Sequence, residues 1–117
     1  MDINRLFNID GKTALITGGS RGIGEMIAAG FLANGVKVYI TARKEAPLIE
    51  KAKELSEKFN GECIAIPCDL SNMEGIQKLA SDYLNHEDSL DILVNNAGAA
   101  WGLSLIHISE PTRQASI

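Results

Sequence analysis

Residues 17–24 read TGGSRGIG directly after the apolar run Ala14-Leu15-Ile16, and a helix-like stretch follows at 25–34. Glycines at 18, 22 and 24 in that setting describe a turn whose main chain can come close to a diphosphate. Gly18 accepts a tight-turn conformation and Gly22 lets the anion approach. Gly24 lets the helix pack on a sheet while its free N–H groups and dipole face the negative charge. A glycine triplet alone carries little information, but strand, turn and helix around it point to a dinucleotide.

Three further places supply groups for such a ligand. The second apolar strand runs out as Thr41-Ala42-Arg43-Lys44, with no carboxylate before Glu45 to receive a ribose 2′-hydroxyl. A 2′-phosphate would instead meet Arg43, with Arg21 from the glycine turn, because forked guanidinium donors suit a phosphate. NADP is therefore favoured over NAD, the alternative being that both arginines are ordinary surface charges. Asp69-Leu70 follows the third strand, where the carboxylate can accept a hydrogen bond from the adenine amine or serve merely as a turn or cap residue. Asn95-Asn96-Ala97-Gly98 follows the fourth, where amides can tie strand ends together and small residues leave room for a ribose.

These groups need elements to hold them. Strands are expected at 12–17, 36–41, 63–67 and 90–94, the last apolar apart from Asp91 as a strand covered on both faces should be. Between them lie three helical patterns. The first, over 23–34, has Ile23, Ile27 and Phe31 at i, i+4 and i+8 and stops at Asn34-Gly35. The second carries Pro47 in its first turn, repeats Leu48, Ala52, Leu55 and Phe59, and stops at Asn60-Gly61. In the third, Ser71 and Glu74 have capping-box spacing before Ile76, Leu79, Ala80 and Tyr83. The order βαβαβαβ forces parallel strands and right-handed crossovers. The fold class is α/β, a truncated Rossmann half with sheet order 3-2-1-4 and flanking helices.

The chain has 117 residues, 45% hydrophobic and 22% charged, which suits one globular domain. A formal charge of −4 without any basic block disfavours nucleic acid or an anionic membrane as partner. The start, MDINRLFNIDGK, lacks the apolar core of a signal peptide, and no apolar run reaches membrane-spanning length, so a cytoplasmic location is expected. Cys63 and Cys68, five positions apart, fall on opposite faces of a regular strand and read as reduced structural thiols.

TGGSRGIG at 17–24, CDL at 68–70 and NNAG at 95–98, in this order and at these distances, resemble the short-chain dehydrogenase/reductase family over about residues 10–102. The resemblance implies that Gly18, Ser20, Arg21, Gly22, Ile23 and Gly24 contact diphosphate and ribose. It further implies that Arg43 reads the 2′-phosphate, that Asp69 and Leu70 border the adenine, and that Asn95, Ala97 and Gly98 floor the ribose sites. The segment NNAGAAWG is similar to reductases of the 3-oxoacyl-acyl-carrier-protein type. An NADP-dependent oxidoreductase is implied for the parent protein, a homo-oligomer acting on a small carbonyl or secondary alcohol, with a non-catalytic nucleotide-binding or sensor module as the alternative.

The family's active-site Tyr, the Lys four residues after it, the Ser and the upstream Asn belong to portions well beyond NNAG. Tyr39 is followed four places on by Arg43, and Tyr83 by Glu87, so neither makes YxxxK and no catalytic residue or metal ligand is assigned. Residues 103–113, LSLIHISEPTR, resemble the conceptual translation of a widely used transposase sequencing adapter. Residues 103–117 are accordingly expected to be foreign to the natural gene, which also removes His107 and Glu110 as a metal pair. With nothing added beyond it, the fourth strand is expected to be a bare, apolar, aggregation-prone edge.

Overall fold

The computed structural model describes residues 9–20, 22–96 and the strand pairing of 115–116. In chain order the elements are β1 (Thr13–Thr17), α1 (Gly22–Ala33), β2 (Lys37–Ala42), α2 (Glu45–Phe59), β3 (Cys63–Pro67), α3 (Met73–Leu84), β4 (Ile92–Asn95) and β5 (Ala115–Ser116). The sheet runs β3-β2-β1-β4-β5 with every pairing parallel. The expected order 3-2-1-4 holds. The expected bare edge does not, because Ala115 and Ser116 pair with Ile92 and Leu93 of β4. A parallel pairing of two residues uses main-chain groups, which every residue type other than proline supplies in full, so side-chain patterning gives no warning of it.

Successive strand residues point to opposite faces, and both faces are covered. Ala14, Ile16, Val38, Ile40 and Val94 form one core with Ala28 and Leu32 of α1 and Leu48, Ala52 and Leu55 of α2. Leu15, Tyr39, Ile66 and Leu93 form the other with Ile76, Leu79, Ala80 and Tyr83 of α3. The two cysteines divide between these cores, Cys63 in the first and Cys68 in the second, and neither is bridged. Burial pushes the Cys63 thiol up to about 12 and raises that of Cys68 as well, so both are protonated at neutral pH.

Two details depart from the helical patterns. The stripe of α1 that enters the core is Gly24, Ala28 and Leu32, not the row beginning at Ile23, which is 69% exposed. Ile27 and Phe31 only flank that core. The smaller side chains face inward because they let the helix axis approach the sheet closely, which the bulkier row would prevent. The cap of α3 is Asn72, whose side chain accepts the Gly75 N–H at 2.8 Å. Ser71 instead donates its N–H to Asp69 Oδ1 at 2.9 Å, so the expected Ser71–Glu74 capping box does not form. Asn60 closes α2 in the left-handed region at φ 50°, as Asn-Gly suggested.

The amino-terminal edge of the sheet is closed by polar contacts. Glu87, after α3, accepts the Tyr39 hydroxyl and pairs with Lys37 at 2.7 Å. Tyr83 donates to the Ser89 carbonyl at 2.6 Å and meets Tyr39 edge to face, 5.0 Å between ring centres. Asp91 accepts the Thr13 N–H at 2.9 Å. Burial raises the Glu87 carboxyl, but the Lys37 ammonium and the Tyr39 hydroxyl together outweigh it and hold it below its ordinary 4.5.

Two outcomes are expected from these contacts. A group with a depressed folded-state pKa contributes stability above its unfolded value and loses it as pH falls through the folded one. Urea midpoints should therefore drop below about pH 4.5, and Glu87→Gln should lower the neutral-pH midpoint while flattening that acid flank. Asn72→Ala should cost about 1 kcal/mol in urea denaturation, the usual worth of an N-cap.

Candidate functional site at the carboxyl ends of the strands

In a parallel sheet all strands finish on one edge, and ligands of open α/β sheets bind in the crevice beyond it. Here that edge is tied together residue by residue. The Gly18 N–H donates to the Thr41 carbonyl at 2.9 Å and the Cys68 N–H to the Ala42 carbonyl at 3.0 Å, which carries the ladder past the last residues of β1 and β3. Between β1 and β4, the Thr17 hydroxyl accepts the Asn96 N–H at 2.8 Å and lies 3.2 Å from Asn95 Oδ1, to which it donates. The Asn96 amide in turn donates to the Gly18 carbonyl at 3.2 Å. Thr17 is fully buried, so these bonds replace the water it has lost.

The glycine turn is shaped by this anchoring. Gly18 and Gly22 have φ of 68° and 62°, conformations that other residues adopt only under strain. A Cβ on Gly24 would sit 2.2 Å from the Gly18 carbonyl oxygen and 2.8 Å from the Asn96 amide nitrogen. The first turn of α1 therefore starts directly beneath Gly18.

The crevice is a cleft of about 820 Å³. Gly18 and Ser20 line it from the turn, Arg43 from the end of β2, and Asp69 and Leu70 from the end of β3. Its volume falls within the range usual for a bound cofactor. Five of the expected site residues thus converge on one space. Gly22, Ile23 and Gly24 shape the neighbouring turn, with Ile23 exposed. The Leu70 side chain is directed into the second core, so only its margin borders the cleft. Asp69 combines both roles considered for it: its carboxylate closes the turn before α3 and it also lines the cleft. Ser71, through hydroxyl and N–H, and then the Arg43 guanidinium hold that carboxyl below its usual range, so it is an anion at neutral pH.

Asn95 is engaged by Thr17 and does not line the cleft, whereas the Asn96 amide reaches Gly18 and Gly24 and so ties strand ends together as expected of the amides in this segment, though the resemblance gave it no ligand contact. Thr17 was not singled out in the sequence. Its signal was present in the sequence, a hydroxyl residue ending an otherwise apolar strand one position before the glycine turn. Arg21, Ala97 and Gly98 lie outside the described residues, as do His107 and Glu110. Among the described residues no group of three His, Cys, Asp or Glu side chains could hold a metal, and no helix is long and apolar enough to cross a membrane.

A family model for short chain dehydrogenases matches residues 12–117. The chain belongs to the short-chain dehydrogenase family. A 3-oxoacyl-[acyl-carrier-protein] reductase of rhamnolipid biosynthesis from Pseudomonas aeruginosa is 48% identical over 99 residues, 85% of this chain and 38% of that protein. The chain thus spans well under half the length of this short-chain dehydrogenase relative. Among solved structures, the active-site complex of Pseudomonas aeruginosa RhlG with NADP superposes with a TM-score of 0.82 at 38% identity, covering 88% of this chain and 47% of that one. The L-sorbose reductase of Gluconobacter frateurii, in complex with NADPH and L-sorbose, gives 0.74 at 40% identity, covering 78% and 35%.

The turn geometry separates two glycines that look alike in the motif. Gly22→Ala meets nothing within 4 Å and should cost about 1 kcal/mol through its positive φ. Gly24→Ala meets main-chain atoms that cannot step aside and should cost about 3 kcal/mol. Equal urea midpoints for the two variants would contradict this arrangement.

Proposed function

We propose that the chain is the cofactor-binding half of an NADP-dependent oxidoreductase that moves a hydride between the nicotinamide and a small carbonyl compound or secondary alcohol. The observation that carries this reading is Arg43 in the cleft, at the end of β2 where an NAD-binding sheet would place a carboxylate. In this reading the turn from Gly18 to Gly24, with Ser20 and Arg21, cradles the diphosphate against the start of α1. Arg43 takes the 2′-phosphate, Asp69 and Leu70 border the adenine, and Asn95, Ala97, Gly98 and Ile23 bound the riboses. NADP or NADPH supplies the hydride chemistry. The residues of this chain bind and orient it. Two of the similar structures being complexes with NADP and NADPH supports the same choice.

Neither described tyrosine serves as the acid for a carbonyl oxygen. Tyr39 is bonded to Glu87 and Tyr83 to Ser89, at the edge of the sheet opposite the cleft. The reacting groups are assigned to portions of the parent protein beyond this chain, and the chain alone is inactive. The parent is a cytoplasmic homo-oligomer, and residues 103–117 derive from adapter sequence. Codons differing from that adapter at several positions would overturn this last point.

The test is titration of the chain with NADPH and NADH, followed by cofactor fluorescence. NADPH should bind the more tightly, and Arg43→Ala should weaken it about tenfold while leaving NADH within about twofold, the loss of one charge-assisted phosphate contact. An equal response of the two cofactors would refute the assignment of Arg43.

A further inference from the structure

Beyond the groups already assigned, the cleft has a wall made by α2. Pro47, Glu50, Lys51 and Glu54 line it, at the i, i+3, i+4, i+7 spacing of one helical face. Two of these four residues are carboxylates and one is a cation. The Lys51 ammonium lies 3.2 Å from Glu25 of α1 and 2.7 Å from Glu54, a single cation between two carboxylates. Among the described residues lining the cleft, Arg43, Lys44 and Lys51 face Glu50, Glu54 and Asp69. Among these, removing Lys51 would leave the carboxylates in excess in the space that has to receive a phosphate of nearly two negative charges.

We propose that Lys51 is a second specificity-determining residue for the cofactor's 2′-phosphate, screening it from the acidic wall of α2; the inference rests on the NADP reading above. Glu54 is 57% exposed, so its pair with Lys51 is of the weak, readily exchanged kind, whereas Glu25 is more enclosed at 34%. The ammonium can therefore leave Glu54 for a phosphate held at Arg43 and stay tethered to Glu25. At physiological ionic strength charges act over about 8 Å, which makes both the wall and its neutralising lysine count for a ligand inside the cleft. NADH, with no 2′-phosphate, places no such charge there and is indifferent to the exchange.

A bridge that merely clasped α1 to α2 would affect both cofactors alike. NADPH and NADH are titrated into the chain carrying Lys51→Met, Lys51→Arg, Glu54→Gln or Arg43→Ala, each at low and high salt. Lys51→Met should weaken NADPH about tenfold, leave NADH within about twofold and reduce the salt dependence of NADPH binding. Lys51→Arg should restore NADPH binding. Glu54→Gln, which removes the pair within α2 and leaves the bridge to Glu25 of α1 in place, should tighten NADPH by about two- to threefold. Equal weakening of both cofactors by Lys51→Met would overturn the proposal in favour of a clasp, and weaker NADPH binding in Glu54→Gln would overturn it as well. If Arg43→Ala erodes the preference for NADPH and Lys51→Met leaves it intact, only this proposal fails. If the unmodified chain does not distinguish NADPH from NADH, the NADP reading fails and this one with it.

Discussion

The close approach of the Gly24 main chain to the Gly18 carbonyl is the constraint on which the site depends. It requires that nothing project from position 24, and it is held by a network of short bonds in which buried Thr17 joins β1 to both asparagines after β4, while Asn96 turns back to Gly18. Thr17 is removed from water, so for its hydroxyl a missing partner would cost more than the bond itself is worth, whereas Asn96 is exposed. The start of α1, the ends of β1 and β4 and Gly18 are thereby held against one another, as binding an anion by main-chain N–H groups demands.

The two edges of the sheet have been given different work. At the amino-terminal edge, Tyr39, Tyr83, Lys37, Glu87 and Asp91 satisfy one another and strand ends, and they seal the second core. At the carboxyl-terminal edge the charged groups line open space. Arg43 and Asp69 lie close enough for the guanidinium to lower the carboxyl pKa, yet no salt bridge closes between them. Parallel strands make this division possible, since every βα connection leaves the sheet on one side and every αβ connection enters on the other.

Much of this was legible in the residues because it follows from local rules. Apolar runs bounded by Gly and Asn placed β1 to β4, and the 3.6-residue repeat of α2 and α3 identified their buried faces down to Leu48, Leu55, Ile76 and Tyr83. The pattern of α1 misled, since a row of large apolar residues outranks Gly24, Ala28 and Leu32 on any scale of hydrophobicity. Only the closeness of the sheet reveals that the small row must face it. Asn72 in place of Ser71 as the cap of α3 is a similar case. Both residue types cap well, and the competing acceptor at Asp69 decided between them.

What the sequence by itself determined was the order of elements, the parallel sheet, the glycine turn and the residue types at each strand end, because these depend on spacing along the chain and on intrinsic conformational preference. Only the tertiary structure decided which of those residues share a space. Asn95 turned aside to Thr17 while Asn96 reached the turn, Ser20, Arg43 and Asp69 met across one cleft, and Lys51 of α2 joined Glu25 of α1 from 26 positions away. Even β5, two residues paired through main-chain bonds, belongs to this second class. The physical reason is common to all of these. Side-chain direction and close approach are set by the packing of separate elements, and that packing depends on distances between residues that no local pattern contains.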